Sequence, residues 1–458
     1  MIDTISLKTS LIDLAVSGQL STEFQAEDSV SEIIEMLPVP SKKRKKLLGQ
    51  AFEYGKQSDI PDNWRWMPLG EISSYGDTPV KANSSNISDN TWILDLEDIK
   101  AGGELLTKTR ANEKQFAGEK TVFHSGQVLY SKLRPYLKKV LVADEDGIST
   151  PELISFDVFG GILPQYIVCC LLDSFTNRAI DKRSYGIKMP RIDAGFMVNL
   201  PVPIPPISEQ QYLIDRLEKA FSLIDTIDNL QGEYVSNQEA LKNRLIDAAI
   251  QGKLTEQLPE DGTAEELFER IAEEKRELVK EKKIKKEKAL PPITENEIPF
   301  GIPGNWKWVR LSDISYRIWA GGDKPEDFSK ESDDVRKVPV VANGVSNEGI
   351  LGYTSKATAT KNTITVAGRG TIGYTVLRRY DYCPIVRLIV IEQSRFIEPR
   401  YLQIFLQSMP EASVGSSIPQ LTVPMIKPKL VPLPPLDEQL RISEKLSGLL
   451  EIMSELNQ

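Results

Sequence analysis

Residues 7–20, LKTSLIDLAVSGQL, return at 241–254 as LKNRLIDAAIQGKL, with eight of fourteen positions identical. Two further echoes keep nearly the same spacing. PDNWRWMPLGEI at 61–72 returns as PGNWKWVRLSDI at 303–314, and PVPIPPISEQ at 201–210 returns as LVPLPPLDEQ at 430–439. A period of about 234 residues is too long for a solenoid and suits two copies of a domain plus its connector. The sequence therefore predicts two similar cores that do one job on two similar targets.

The connectors read as helices. Pro201, Pro203, Pro205 and Pro206 impose an extended lead-in, and Ser208 with Gln211 has the spacing of a capping box. Downstream, Leu213, Leu217, Ala220, Ile224, Ile227, Gln231, Tyr234, Gln238, Leu241, Leu245 and Ala248 step by four and three, the period of a coiled-coil seam. At 1.5 Å per residue this helix would reach roughly 60–70 Å before Gly252 ends or bends it. A second helix is predicted from Thr263, capped by Glu266, toward Lys288, where Pro291 and Pro292 stop it. A short turn between the two predicts that they lie antiparallel. The C-terminus starts the first helix again, after Pro434 and Pro435 and with Asp437 as its cap, and the N-terminus begins inside it. Residues 436–458 and 1–58 are together about as long as 207–290, so the two ends read as halves of a second connector that meet in space and close a pseudo-twofold ring.

Between the connectors lie 61–206 and 303–435, rich in short alternating stretches such as VFHSGQVLYSKL and NTITVAGRGTIGYTVL and in Gly, Asn and Pro turns. Each predicts an α+β domain with a mixed, twisted sheet plus helices. G-D-T-P (Gly76 to Pro79) and G-D-K-P (Gly322 to Pro325) mark one early loop in both, while the interiors share little identity. Trp64, Trp66, Trp306 and Trp308 read as core anchors where each domain begins.

Net charge is −9, which taken whole argues against nucleic acid, but the signs are segregated. Thr121 to Ala143 holds four Lys/Arg and no acid, and Gly349 to Tyr380 holds five and no acid. Such stretches can form local basic surfaces on a soluble chain; a solvated face is the bland reading of either alone. In VLYSKLRPYLKKV, 128–140, Lys132, Arg134, Lys138 and Lys139 surround Tyr130 and Tyr136. Arginine forks onto guanine or phosphate, lysine neutralises phosphate, and tyrosine donates or stacks. The counterpart is TVAGRGTIGYTVLRR, 365–379, with Arg369, Arg378 and Arg379. Lys188, Arg191 and Lys361 complete the candidate contacts. The basic runs KKRKK at 42–46 and KEKKIKKEK at 280–288 are weaker candidates, because charged residues on exposed helices are ordinarily solvated.

Several chemistries find nothing to work with. His124 is the single histidine, and the three cysteines, two of them adjacent (Cys169 and Cys170), have no metal or disulfide spacing; a reducing cytoplasm fits. Gly368, Gly370 and Gly373 spell G-x-G-x-x-G, but Tyr-Thr-Val-Leu follows where a dinucleotide site needs a helix. The expectation there is a glycine-rich hairpin carrying an arginine. GEKT at 118–121 lacks the upstream glycine of a phosphate loop, no apolar run reaches the ~18–20 residues a membrane span requires, and no signal-peptide pattern opens the chain.

The paired N-W-x-W-x-x-L and P-P-[IL]-[SD]-E-Q motifs, the L-I-D-x-A-x-x-G-x-L repeat and the two unlike interiors together resemble the specificity subunit of type I restriction–modification systems, over essentially the whole chain. The resemblance implies a non-catalytic, cytoplasmic subunit divided into connector pieces at 1–58, 207–290 and 436–458 and target-recognition domains at 59–206 and 291–435. It implies that each recognition domain reads half of a split double-stranded DNA target. It also implies that the connectors set the gap and bind two methyltransferase (modification) subunits and the restriction subunits. No cofactor is expected on this chain; S-adenosylmethionine, ATP and Mg are expected on the partner subunits. No N-P-P-[FY] or D-P-P-[YW] adenine-methylation motif is present. A protein-binding adaptor of the same fold is the alternative from another class, and an enzyme with an unrecognised buried site is a third. One departure is that the chain begins inside a connector.

Overall fold

The computed structural model describes residues 1–52, 54, 59–82, 87–114, 118–408 and 420–456. Gln458, half of the expected meeting of chain ends, therefore lies outside the described residues. The chain divides into two units, Met1–Gly232 and Glu233–Gln458, and each joins connector segments to one sheet-bearing lobe.

The N-terminal unit begins with helices α1 (Thr4–Val16), α2 (Val30–Glu35) and α3 (Lys42–Leu47) and ends in the 44-residue α8 (Ile207–Ile250), which runs on into the second unit. Helix α1 lies antiparallel to the first part of α8. Thr4 Oγ1 donates to Asp228 at 3.0 Å, Lys8 pairs with Asp225 at 2.5 Å, and the Ile2 amide donates to Gln231. The predicted Ser208–Gln211 capping box does not form. Asp28 reaches over instead, accepting the Ile207 amide at 2.6 Å and the Ser208 amide and hydroxyl, so a carboxylate sits at the positive end of the helix.

In the C-terminal unit the antiparallel partner of α8 is α12 (Leu436–Glu455), with Ile246, Ala249, Ile442 and Leu446 sharing one buried cluster. Asp437 lies inside the first turn of α12 rather than at its cap. Helix α9 (Ala264–Lys280) has its predicted capping box but not the predicted antiparallel place on α8: its buried Ala264, Leu267 and Ile271 join the core of the lobe. It stops at Lys280, short of Lys288, where lysines crowd one another at helical spacing. The α8 seam is also shifted. Leu213, Leu217 and Ile224 are buried, but at the far end Ile246, Ala249 and Ile250 replace the predicted Leu245 and Ala248. A helix not held in a supercoil drifts ~20° per heptad from the 3.5-residue repeat, about one residue over five heptads.

Between its helices the N-terminal unit forms β1 (Arg65–Pro68), α4 (Leu69–Ile72), β2 (Trp92–Leu94), β3 (Thr109–Arg110), β4 (Thr121–Phe123), β5 (Val128–Ser131), β6 (Val140–Val142), β7 (Gly147–Ser149), β8 (Leu153–Phe156), α5 (Pro164–Leu172), α6 (Ser174–Arg183), α7 (Ala194–Val198) and β9 (Pro201–Ile204). The C-terminal unit forms β10 (Lys307–Arg310), β11 (Ser315–Ala320), β12 (Val338–Val341), β13 (Ile350–Thr354), β14 (Thr363–Val366), β15 (Thr375–Arg378), β16 (Cys383–Pro384), β17 (Ile389–Gln393), α10 (Pro399–Ser408), α11 (Val423–Ile426) and β18 (Leu430–Leu433).

The two lobes share a topology that their interior sequences do not announce. Sheet order β6-β5-β8 matches β15-β14-β17, with β11 added outside β17, and β3-β2-β7 matches β13-β12-β16, with β4 added outside β7. In both, the central pair β2–β7 or β12–β16 is parallel and its neighbours antiparallel. A separate ribbon, β1–β9 or β10–β18, closes each lobe.

The repeated motifs explain themselves as buried polar locks at the base of each lobe. Glu209 accepts from Ser21 Oγ at 2.6 Å and Asn63 Nδ2 at 3.0 Å; its counterpart Glu438 accepts from Thr255 Oγ1, Gln257 Nε2 and Trp306 Nε1, the last at 2.8 Å. Gln210 accepts the Leu163 amide and donates to Pro205; Gln439 accepts the Glu398 amide and donates to Pro434, all at 2.9 Å. Tyr166 and Tyr401 donate their hydroxyls to Pro203 and Pro432, each ring edge-on to Trp64 or Trp306 with centroids 6.4 Å apart. Gly18 and Gly252 turn left-handed (φ 77° and 68°), and a Cβ there would come within 2.5 Å of Pro61 or 2.4 Å of Pro303. Buried glutamate, glutamine and tyrosine groups need such partners, which restricts what those positions accept. Of the four tryptophans in the repeated motif, Trp64 and Trp306 are buried; Trp66 and Trp308 are half-buried.

Candidate nucleic-acid interface

The two basic stretches occupy the same place in their lobes. One is the β5–β6 hairpin and the other the β14–β15 hairpin. In the N-terminal unit the loop of the hairpin meets a second loop, Ser184–Arg191. Leu133 and Tyr185 both bridge to Arg191, the Arg134 amide donates to Pro190 at 2.7 Å, and the Ile192 amide donates to Lys132 at 3.1 Å. Lys132, Arg134, Tyr136, Lys138, Lys139, Lys188 and Arg191 therefore share one edge, although the sequence separates them into two stretches.

Their states differ. Arg134 and Lys138 hold left-handed backbone (φ 49° and 51°), which costs energy in non-glycine residues and gathers at functional sites. Arg134 and Lys188 are exposed, and their charged heads have no partner among the described residues. Tyr136, Tyr185, Ile187 and Met189 stand out into solvent beside them, with Ile187 wholly exposed. Arg191 and Lys132 are instead paired with Glu152, at 2.8 Å and 3.6 Å. The hydrogen bond from Arg191 holds the Glu152 carboxyl below the usual range, so the cluster stays ionised. Lys139 donates to the Leu96 carbonyl at 2.5 Å, and Tyr130, expected to face a ligand, is buried in the core.

In the C-terminal unit the glycine motif is the expected hairpin. Gly370 and Gly373 turn left-handed (φ 70° and 84°) in a loop that enters β15 rather than a helix. Lys361, Arg369 and Arg379 are exposed, with charged heads free of partners among the described residues. Arg378 is a correction. It is 1 % exposed, its guanidinium donating to Thr365 Oγ1, the Glu348 carboxylate and carbonyl, and the Tyr380 hydroxyl. Arg378 is the last residue of β15 and turns inward, whereas Arg379 just beyond the strand is exposed, so Arg378 holds the lobe together instead of facing a ligand.

Sequence reasoning missed two features. Asn343 ties the hairpin to a neighbouring turn, accepting the Gly368 amide at 2.8 Å and donating to Val386 at 2.7 Å. That turn carries exposed Arg387, which no motif marks. A further echo was present in the sequence: GIKMPRID at 186–193 returns as GSSIPQLT at 415–422. The described end of the second copy keeps the geometry of the first, since Leu421 donates to Gly368 as Ile192 donates to Lys132. Among the described residues no group of three or more His, Cys, Asp and Glu could hold a metal ion, and no helix is long and apolar enough to cross a membrane.

Residues 303–458 match the family model described as type I restriction modification DNA specificity domain. The chain is 25% identical to the Escherichia coli type I restriction enzyme EcoAI specificity subunit, over 98% of this chain and 89% of that protein. It is 31% identical to the C-terminal piece of a candidate type I specificity subunit of Mycoplasma pneumoniae, over 23% of this chain and 73% of that sequence. Two solved structures share the fold. One is a chain of a type I R-M system (TM-score 0.64, 19% identity, 87% of this chain and 93% of that one). The other is the HsdS subunit from Thermoanaerobacter tengcongensis (TM-score 0.51, 18% identity, 88% and 92%).

Proposed function

Because this chain belongs to the family of type I restriction–modification specificity subunits, we propose that its two lobes read the two halves of a split, asymmetric DNA target. The observation that carries this is the pair of equivalent hairpins, β5–β6 and β14–β15, each ending in unpaired cations: Arg134 in one, Arg369 in the other. Free cations at one edge suit phosphate positioning, and forked arginines beside apolar and tyrosyl side chains suit base edges. Unlike hairpins on like frames suit unlike half-sites.

In this reading 59–206 and 291–435 are the recognition domains and 1–58, 207–290 and 436–458 the connector pieces. The connectors set the gap between half-sites at about one helical turn of DNA and recruit two methyltransferase subunits and the restriction subunits. The chain is non-catalytic and works in the cytoplasm. S-adenosylmethionine, ATP and Mg are bound by its partners.

The test is to map methylated adenines in cells carrying this chain with its modification partner. A split motif is expected, and exchanging residues 303–435 for those of another specificity subunit is expected to change one half alone. A change in both halves, or in neither, contradicts modular reading. If replacing Arg134 and Arg369 by alanine leaves DNA affinity and its salt dependence untouched, the protein-binding adaptor is the better description.

A further inference from the structure

The turn between β16 and β17 has the hallmarks of a reading element that neither the repeat nor the basic stretches reveal. Val386 and Arg387 both hold left-handed backbone, φ 54° and 61°, and both are exposed. For a β-branched residue this conformation is a true outlier, and it persists only where the surroundings over-determine it. Here they do. The amides of Ile385, Val386 and Arg387 donate to Val341, Gly322 and Gly321 at 2.8, 2.9 and 3.3 Å, and the Val386 carbonyl accepts from Asn343. Gly321 has no room for a side chain, since a Cβ would sit 2.7 Å from the Pro384 backbone. These bonds thus fix the backbone from which one exposed arginine projects, and that arginine's side chain pairs with no described residue.

Its position ties it to the candidate interface. The Arg387 carbonyl lies 3.6 Å from where a Cβ on Gly368 would stand, directly beside Arg369, and Asn343 bonds both segments. In the N-terminal unit the same connection, β7 to β8, carries an acid, Glu152, occupied by Arg191 and Lys132. The two lobes therefore differ at this point in the sign of the group they offer.

Resting on the DNA-reading function above, we propose that Arg387 is a specificity-determining residue of the C-terminal lobe. Its guanidinium makes a forked contact to one guanine edge of that lobe's half-site, while Arg369 and Lys361 position the phosphate backbone. An arginine projecting from a fixed backbone suits a base edge, where a fork must meet O6 and N7 together, better than it suits phosphate, which a flexible lysine serves as well.

The test selects bound sequences from a randomised duplex pool, using the chain assembled with its methyltransferase partner, for the wild type, Arg387→Lys and Arg387→Gly. Glycine accepts the left-handed backbone, so the second variant keeps the turn even if a lysine disturbs it. Both variants are expected to lose preference at a single guanine in one half-site, roughly 10- to 100-fold, with the other half-site and the overall salt dependence nearly unchanged. Uniform weakening across all sequences with a shallower salt slope would make Arg387 a phosphate anchor and overturn the inference. Unchanged selection by both variants would overturn it as well, leaving the DNA-reading function standing. Failure of the wild type to select any sequence would remove that function and this inference together.

Discussion

At their bases the two lobes are nearly superimposable in chemistry; at their working edges they share almost nothing. The bases repeat residue for residue: Gly18 and Gly252, Trp64 and Trp306, Tyr166 and Tyr401, Glu209 with Gln210 and Glu438 with Gln439. The edges offer Arg134, Lys188, Tyr136 and Ile187 on one side and Arg369, Arg379, Asn343 and Arg387 on the other. Burial accounts for the contrast. A buried donor or acceptor without its partner costs about 1–3 kcal/mol, so the locks tolerate little change, whereas an exposed loop side chain is nearly neutral to stability. On the proposed function, reading can thus vary while the frame that aims it stays fixed.

The largest effect should come from breaking a lock. Glu438→Ala leaves Trp306 Nε1 without its acceptor and takes one acceptor each from Thr255 and Gln257, the latter keeping the Gly252 and Thr255 carbonyls, and is expected to destabilise the C-terminal unit by about 2–4 kcal/mol. Glu209→Ala strands only Ser21 and Asn63 and should cost the N-terminal unit less, about 1–3 kcal/mol. Hydrogen exchange followed unit by unit measures both; equal costs would break the comparison. Next, Arg378→Ala should cost the C-terminal unit about 2–4 kcal/mol, while Arg379→Ala stays within ~0.5 kcal/mol and weakens only DNA binding. Urea melts beside binding isotherms separate the two.

A smaller effect distinguishes the units by pH. Burial pushes the Asp173 carboxyl up to about 6, with Asp13 nearby adding to it, and the matching position in the second unit is Ser408. Because the folded chain holds this proton above the ordinary value of 3.8, the stability it contributes is complete below about pH 4 and is lost as pH rises through 6. The N-terminal unit should therefore lose about 1–2 kcal/mol over that range relative to Asp173→Asn, with no such term in the C-terminal unit. Thermal melts of both proteins at pH 4 and 7 would show it. The smallest effect tests the apolar edge. If Ile187 touches a thymine methyl, deoxyuridine in that half-site should weaken binding by about 1 kcal/mol in the wild type and hardly at all in Ile187→Ala.

The frame was legible because each of its positions carries a constraint that sequence repeats record. The capping glycines recur because their left-handed turns leave no room for a Cβ, and the Glu-Gln pairs recur because they satisfy buried donors and acceptors at the base of each lobe. Arg378 and Arg379 were not separable in the same way. Which of two adjacent arginines turns inward depends on Glu348 as well as on Tyr380, and no local pattern announces an acceptor 30 residues away. Arg387 was invisible for a related reason: Val-Arg is not a turn dipeptide, and long-range bonds to Gly321 and Gly322 force it into one. The α8 seam was misplaced by one residue at its far end because a strict heptad was assumed where the helix keeps its own pitch.

The separation of frame from reader is tested most directly by making the two readers alike. Replacing the span between Trp66 and Ser208 with the span between Trp308 and Asp437, while keeping Ser208 itself, joins equivalent anchors and keeps the glutamate, glutamine and tyrosine locks and the Asp28 contact in place. Mapping methylated adenines for this chain with its partner subunits should yield an inverted repeat of the half-site formerly read by the C-terminal lobe. A modified motif whose two halves remain unlike would contradict the account.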